Sequence, residues 1–212
     1  MPMGAEDDDG RLPADEAGRR PLKPRFSSTF HTHVELWNAA LHYQQLRRDG
    51  TPGGKQLDLA ALLFAHLAVE AYANYLGQRI APKDWEDERE RFKTGGAVAK
   101  LEQLARLCDL PADKGHRPVQ TLCHLQRLRN QLAHGRPETA SGAGPLSDDD
   151  RDFLRSSISR AVSPESADRA LEDVKVFVEQ LHAAAKAKFP GRYLLPDGLG
   201  SITAEATIVG GH

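Results

Sequence analysis

Cysteine is nearly absent: Cys108 and Cys123 are the only two in 212 residues, too few for a disulfide framework and without zinc-type spacing. Charge of one sign is lacking as well. A net charge of −2 gives no global attraction for nucleic acid, so any basic surface has to be local. No stretch of eighteen apolar residues runs without polar interruption, which argues against a membrane span. Glu6-Asp7-Asp8-Asp9 stands where a secretory leader carries positive charge and then an apolar run. These absences lead us to expect a reduced, cytoplasmic setting without membrane attachment. What is present, 40% hydrophobic residues, suffices for one buried core in a chain of this length.

The pattern is helical nearly throughout. Residues 1–26 are polar and rich in Pro, Gly and charge, and read as a disordered leader. Thr32-x-x-Glu35 predicts a capping box for a first helix carrying Val34, Trp37 and Leu41 on one face. A second helix is expected from Asp58 to Ile80, stopping before Pro82. Residues 83–93 are charged, and within them the run 85–93 balances its signs and reads as an exposed linker or short helix, followed by a third helix over 97–107. Pro118 suits the first position of a fourth helix, and Gly135 suits a left-handed stop after His134. Ser147-Asp148-Asp149-Asp150 reads as the cap of a short helix. Ser163-Pro164-Glu165 opens a last helix whose Leu171, Val174, Val178, Leu181 and Ala185 form an apolar seam, expected to leave spare surface for a dimer contact. The expected architecture is all-α, an up-and-down bundle of four to five helices over 27–190. An irregular tail over 191–212 follows, in which residues 202–209 hint at an extended segment.

Two helices carry chemistry. On the fourth, Leu122, Leu125, Leu128 and Leu132 make an apolar face, and Arg129 falls within that arc. Asn130 and His134, four residues apart, lie above one another at its edge. An arginine there has to snorkel out or meet a carboxylate. The second helix is apolar nearly all round, which places it at the centre of the bundle. Its exception is a stripe of His66, Glu70 and Asn74 at four-residue spacing. Glu70 is therefore the candidate partner of Arg129 across a polar cleft, and a solvated stripe without chemistry is the bland alternative. Arg117, Arg127 and Arg136, with Lys114, flank the motif and suggest a local phosphate-attracting rim, although solvated charge is commoner. His31 and His33 have ligand chemistry but no converging partners. No Glu-x-x-His pairs support a carboxylate metal centre. No metal or other cofactor is expected.

Arg129-Asn130-Gln131-Leu132-Ala133-His134-Gly135 resembles the signature of the HEPN superfamily: Arg, a polar residue, three more residues, then His. The resemblance spans roughly residues 32–188. It implies a four- to five-helix bundle that forms a homodimer, bringing two such motifs into one cleft. Many members are metal-independent endoribonucleases in toxin–antitoxin, anti-phage or RNA-processing systems. By that resemblance Arg129 and His134 are catalytic and Asn130 supports them, with RNA as substrate and an antitoxin or defence-system protein as a further partner. Members paired with a nucleotidyltransferase antitoxin commonly carry a tyrosine two positions after the histidine; here that position is Arg136. Other members keep the fold as a catalytically silent module that binds a protein or nucleotide.

Overall fold

A computed structural model describes residues 30–139 and 156–200. All of these but Phe30 belong to one compact unit, His31–Ile202. Among the described residues the secondary structure is entirely helical. The expected leader, the acidic cap at 147–150, most of the loop before it and the extended segment at 202–209 lie outside those residues.

The chain opens on α1 (Thr32–Arg48) and α2 (Gly54–Ile80). The capping box predicted at Thr32 does not form. His31 is the N-cap, without a side-chain cap bond, and burial of His33, Val34, Trp37 and Ala40 holds the first turns instead. The connection between the two helices turns through Gly50 at φ 74° and Gly53 at φ 88°, backbone conformations that glycine adopts without penalty. α2 begins four residues before Asp58, the expected start. Its polar first turn lacks apolar periodicity, but Asp58 is buried and ion-paired to Arg47 at 3.3 Å. The contacts run in opposite order along the two helices, from His33 against Tyr75 (4.8 Å) through Tyr43 stacked on Phe64 (5.4 Å) to Arg47 on Asp58. The two helices are therefore antiparallel.

α2 is central, as its composition leads one to expect. It packs against α1, α5, α6 and α8, the last three being Gly96–Leu107, Val119–His134 and Pro164–Lys188. Ala61, Ala65, Ala68 and Ala73 are fully or almost fully buried along it, and side chains this small let neighbouring helices approach closely. By length and mean hydropathy alone α2 could cross a membrane, yet more than half of its most apolar window is buried in the bundle.

Residues 81–95 are more than a linker. They form two single-turn helices, α3 (Pro82–Trp85) and α4 (Glu88–Arg91), and fold back along α2. Trp85 and Phe92 are buried with ring centroids 5.2 Å apart. A Cβ on Gly77 would lie 1.9 Å from the Trp85 indole, so only glycine admits this packing. Gly77→Ala is expected to lower stability by about 1–3 kcal/mol through overpacking. An unchanged urea midpoint would show that the indole does not sit there.

α6 starts one residue after Pro118, which is the N-cap and follows a cis Arg117–Pro118 bond. Gly135 ends it at φ −55°, ψ 133°, an extended exit rather than the expected left-handed stop. The short α7 (Ser157–Ala161) precedes α8, which opens with a capping box between Ser163 and Ser166. Buried Asp173 on α8 accepts from Thr121 at 2.5 Å and from Arg117 at 2.7 Å, tying the start of α6 to α8.

Two expectations need correction. The seam of Leu171, Val174, Val178, Leu181 and Ala185 is almost wholly buried, so it offers no spare surface to a second copy. The domain also does not stop at 190: Leu194, Leu195 and Leu199 are buried. Leu195 N–H donates to the Tyr75 hydroxyl at 2.8 Å, and its carbonyl accepts from His182 Nε2 at 2.8 Å. These backbone bonds strap the chain across α2 and α8.

Candidate active site

The end of α6, the polar stripe of α2, the folded-back segment and the start of α5 surround an open cleft of about 950 Å³. Arg129, Asn130 and His134 line it from α6, and His66, Glu70 and Asn74 line it from α2. The two groups singled out from sequence thus meet in one place. The stripe faces a cleft shared with the motif rather than open solvent.

Helix phase decides exposure within the motif. Leu122, Leu125 and Leu128 are buried, Arg129 is half-buried, and Asn130 and His134 are exposed. Arg129 Nη1 donates to Asn130 Oδ1 at 3.2 Å, holding the guanidinium along the cleft wall. His134 is the last helical residue and lines the cleft from there.

The predicted pairing of Glu70 with Arg129 is not observed; among the described residues no ion pair joins them. Glu70 instead stands 3.9 Å from His66 Nε2. His66 is buried, and burial first, with the nearby Arg129 charge second, pushes its pKa down to about 4. It is therefore neutral at neutral pH and adds no positive charge for a bound anion. The missing pair has a measurable consequence. Glu70→Ala and Arg129→Ala should be additive in stability within about 0.5 kcal/mol. A coupling well above 1 kcal/mol in urea titrations would restore the direct pair.

Sequence reasoning missed Lys100, Glu88 and Gln126. Lys100 is buried, with its ammonium 2.5 Å from Glu88 Oε2 and 2.8 Å from Asn74 Oδ1. A charge buried in this way needs both partners. This contact fixes Asn74, the last residue of the α2 stripe expected to support the site, as an anchor joining α2 to α5. Gln126 accepts from Val98 N–H at 2.9 Å and donates to the Gly95 carbonyl at 3.0 Å, fastening α5 to α6. A one-dimensional pattern holds no signal for such long-range partners beyond a lysine and a glutamine set in apolar surroundings.

The expected basic rim is largely taken up by ion pairs or turned away from the cleft. Arg117 is engaged bidentately by Asp173 and also by Glu172, and Lys114 pairs with Glu102 at 2.7 Å. These acids are distant in sequence, so the motif's flanks looked richer in free cations than they are. Arg127 lines a separate hollow with Cys123 and Lys114. Arg136 is exposed beyond the helix end and does not line the cleft.

His33 packs against Tyr72 and Tyr75, and burial pushes its pKa down to about 4. Among the described residues no group of three or more His, Cys, Asp or Glu side chains is placed to hold a metal. Comparisons of the chain with protein-family models, curated proteins and solved structures find no match.

Proposed function

We propose that the chain is a metal-independent endoribonuclease of HEPN type, of the kind that serves as a toxin or an anti-phage defence component. The observation carrying this reading is the convergence of Arg129, Asn130 and His134 on one open cleft, opposite the polar stripe of the central helix. In the reaction, one His134 takes the proton of the 2′-OH, and O2′ attacks phosphorus as the P–O5′ bond breaks. A second imidazole donates the proton that O5′ needs on leaving. Arg129 grips the non-bridging oxygens with its planar fork and offsets the charge growing there. Asn130 keeps that fork in place.

One chain supplies one exposed histidine to the cleft. His66, buried and with its pKa near 4, is a poor match to proton transfer at neutral pH. The second group is then His134 of another copy, which makes the working unit a two-fold dimer. Leu63 and Leu67 stay half-buried on the face of α2 that bears Glu70, and they give such a contact its apolar part.

The test is cleavage of RNA in EDTA by wild-type protein beside His134→Ala. Cutting by the wild type alone, leaving 2′,3′-cyclic phosphate or its hydrolysis product, is the expected result. A strict requirement for added Mg²⁺ or Mn²⁺ would overturn the reading.

A further inference from the structure

The run Glu86-Asp87-Glu88-Arg89-Glu90-Arg91-Phe92-Lys93 nearly cancels its charges in sequence, but the fold sorts them. Glu88 turns inward to the Lys100 ammonium at 2.5 Å. Arg91 is taken by Asp84 at 2.7 Å and lies over the Phe92 ring. The buried Phe92, packed on Trp85, fixes the segment against the bundle. Arg89 and Lys93, four residues apart, remain on the face that lines the cleft. Their own partners are weak. Arg89 stands 4.0 Å from Glu88 with its side chain 95% exposed, and Lys93 meets Glu90 at 3.4 Å with both side chains more than 70% exposed. Exposed pairs of this kind contribute little and yield readily to a better anion.

The cleft lining thus holds four cations (Arg89, Lys93, Lys100, Arg129) against two carboxylates, Glu70 and Glu88, in a chain whose net charge is −2. Lys100 is consumed by Glu88 and Asn74. The cations still able to meet a ligand stand on two walls: Arg129 on α6, and Arg89 with Lys93 on the folded-back segment. A polyanion with regularly spaced charges fits this arrangement better than a single phosphate does. We propose that Arg89 and Lys93 are the backbone-binding wall of the cleft, holding the phosphates of an unpaired RNA strand on either side of the bond cut at Arg129 and His134. The strand is unpaired because attack by the 2′-OH requires O2′, phosphorus and O5′ in line, which a duplex of A form does not permit. This assignment rests on the ribonuclease reading and replaces Arg117, Arg127 and Arg136 as the phosphate contacts.

The experiment uses the full-length His134→Ala protein, which binds without cutting, and an unpaired oligoribonucleotide of mixed sequence titrated across a range of KCl. Arg89→Gln/Lys93→Gln in that background is expected to weaken binding at least tenfold at low salt. The slope of log K against log salt should become shallower by about 1.4, at roughly 0.7 per phosphate contact for single strands. Both side chains are exposed, so the fold should persist, and circular dichroism checks it. Arg106→Gln/Lys175→Gln removes the same charge away from the cleft and should leave the slope unchanged. Equal slopes for the Arg89→Gln/Lys93→Gln variant and its parent, with cleavage by the wild type intact, would overturn the wall alone. Absence of both RNA binding and cleavage in the wild type would overturn the wall together with the ribonuclease reading.

Discussion

Arg129→Ala and His134→Ala are each expected to slow RNA cleavage by roughly 10²–10⁴-fold, with helical content unchanged. On the proposed ribonuclease mechanism the size follows from what each removes: a proton-transfer group in one case, and a charge-stabilising donor pair in the other. Both sit where truncation is tolerated, Arg129 half-buried and His134 exposed, so loss of activity will not be loss of fold. Arg129→Lys should recover little, because an ammonium is a point charge and cannot span two oxygens as a guanidinium does. Mixing tells whether two copies share the work. With a growing excess of His134→Ala protein, activity should fall as the square of the wild-type fraction. A fall in simple proportion, or full activity from a strictly monomeric protein, would remove the shared cleft.

Acid should begin to destabilise this protein below about pH 6.5, before its carboxylates protonate. His33 and His66 are buried, and both have pKa values lowered to about 4. In the unfolded chain each returns to about 6.5. Between those values the unfolded state binds more protons than the folded one. The stability these groups contribute is therefore complete above about pH 6.5 and is lost as pH falls toward 4. Each histidine accounts for on the order of 3 kcal/mol across that window. Urea unfolding followed from pH 7 to pH 4 should show the loss. His33→Phe keeps a ring between Tyr72 and Tyr75 while removing one protonation site, so its acid limb should be flatter. Identical pH profiles for His33→Phe and wild type would mean that this imidazole protonates without resistance in the folded state.

What could be read from the chain alone was whatever depends on helical phase. The apolar all-round character of α2 gave its central place, and the spacing of Arg129, Asn130 and His134 gave their common cleft. The opposing stripe of His66, Glu70 and Asn74 was found in the same way. Phase reports which way a residue points and not which residue from elsewhere arrives to meet it. Glu70 was therefore given the wrong partner, Arg117 passed as a free cation although Asp173 holds it, and Lys100 went unnoticed. The balanced charges of residues 85–93 hid a segment whose two aromatic side chains are buried. The strap of Leu194, Leu195 and Leu199 escaped because three leucines set among Gly and Pro have no period to detect.

The central position of α2 also has a consequence in time. The chain is made from its N-terminus, so α2 is complete when Ile80 emerges, yet one of its main partners, α8, ends at Lys188. At ~5–20 residues per second the intervening 108 residues (188 − 80) take roughly five to twenty seconds to synthesise. Throughout that interval the side of α2 that α8 will cover has nothing native to pack against. An alanine- and leucine-rich helix of 27 residues so exposed is a ready target for chaperones, or for another nascent chain in the same condition. Fragments ending before Pro164 should therefore collect as aggregates, whatever the stability of the finished bundle.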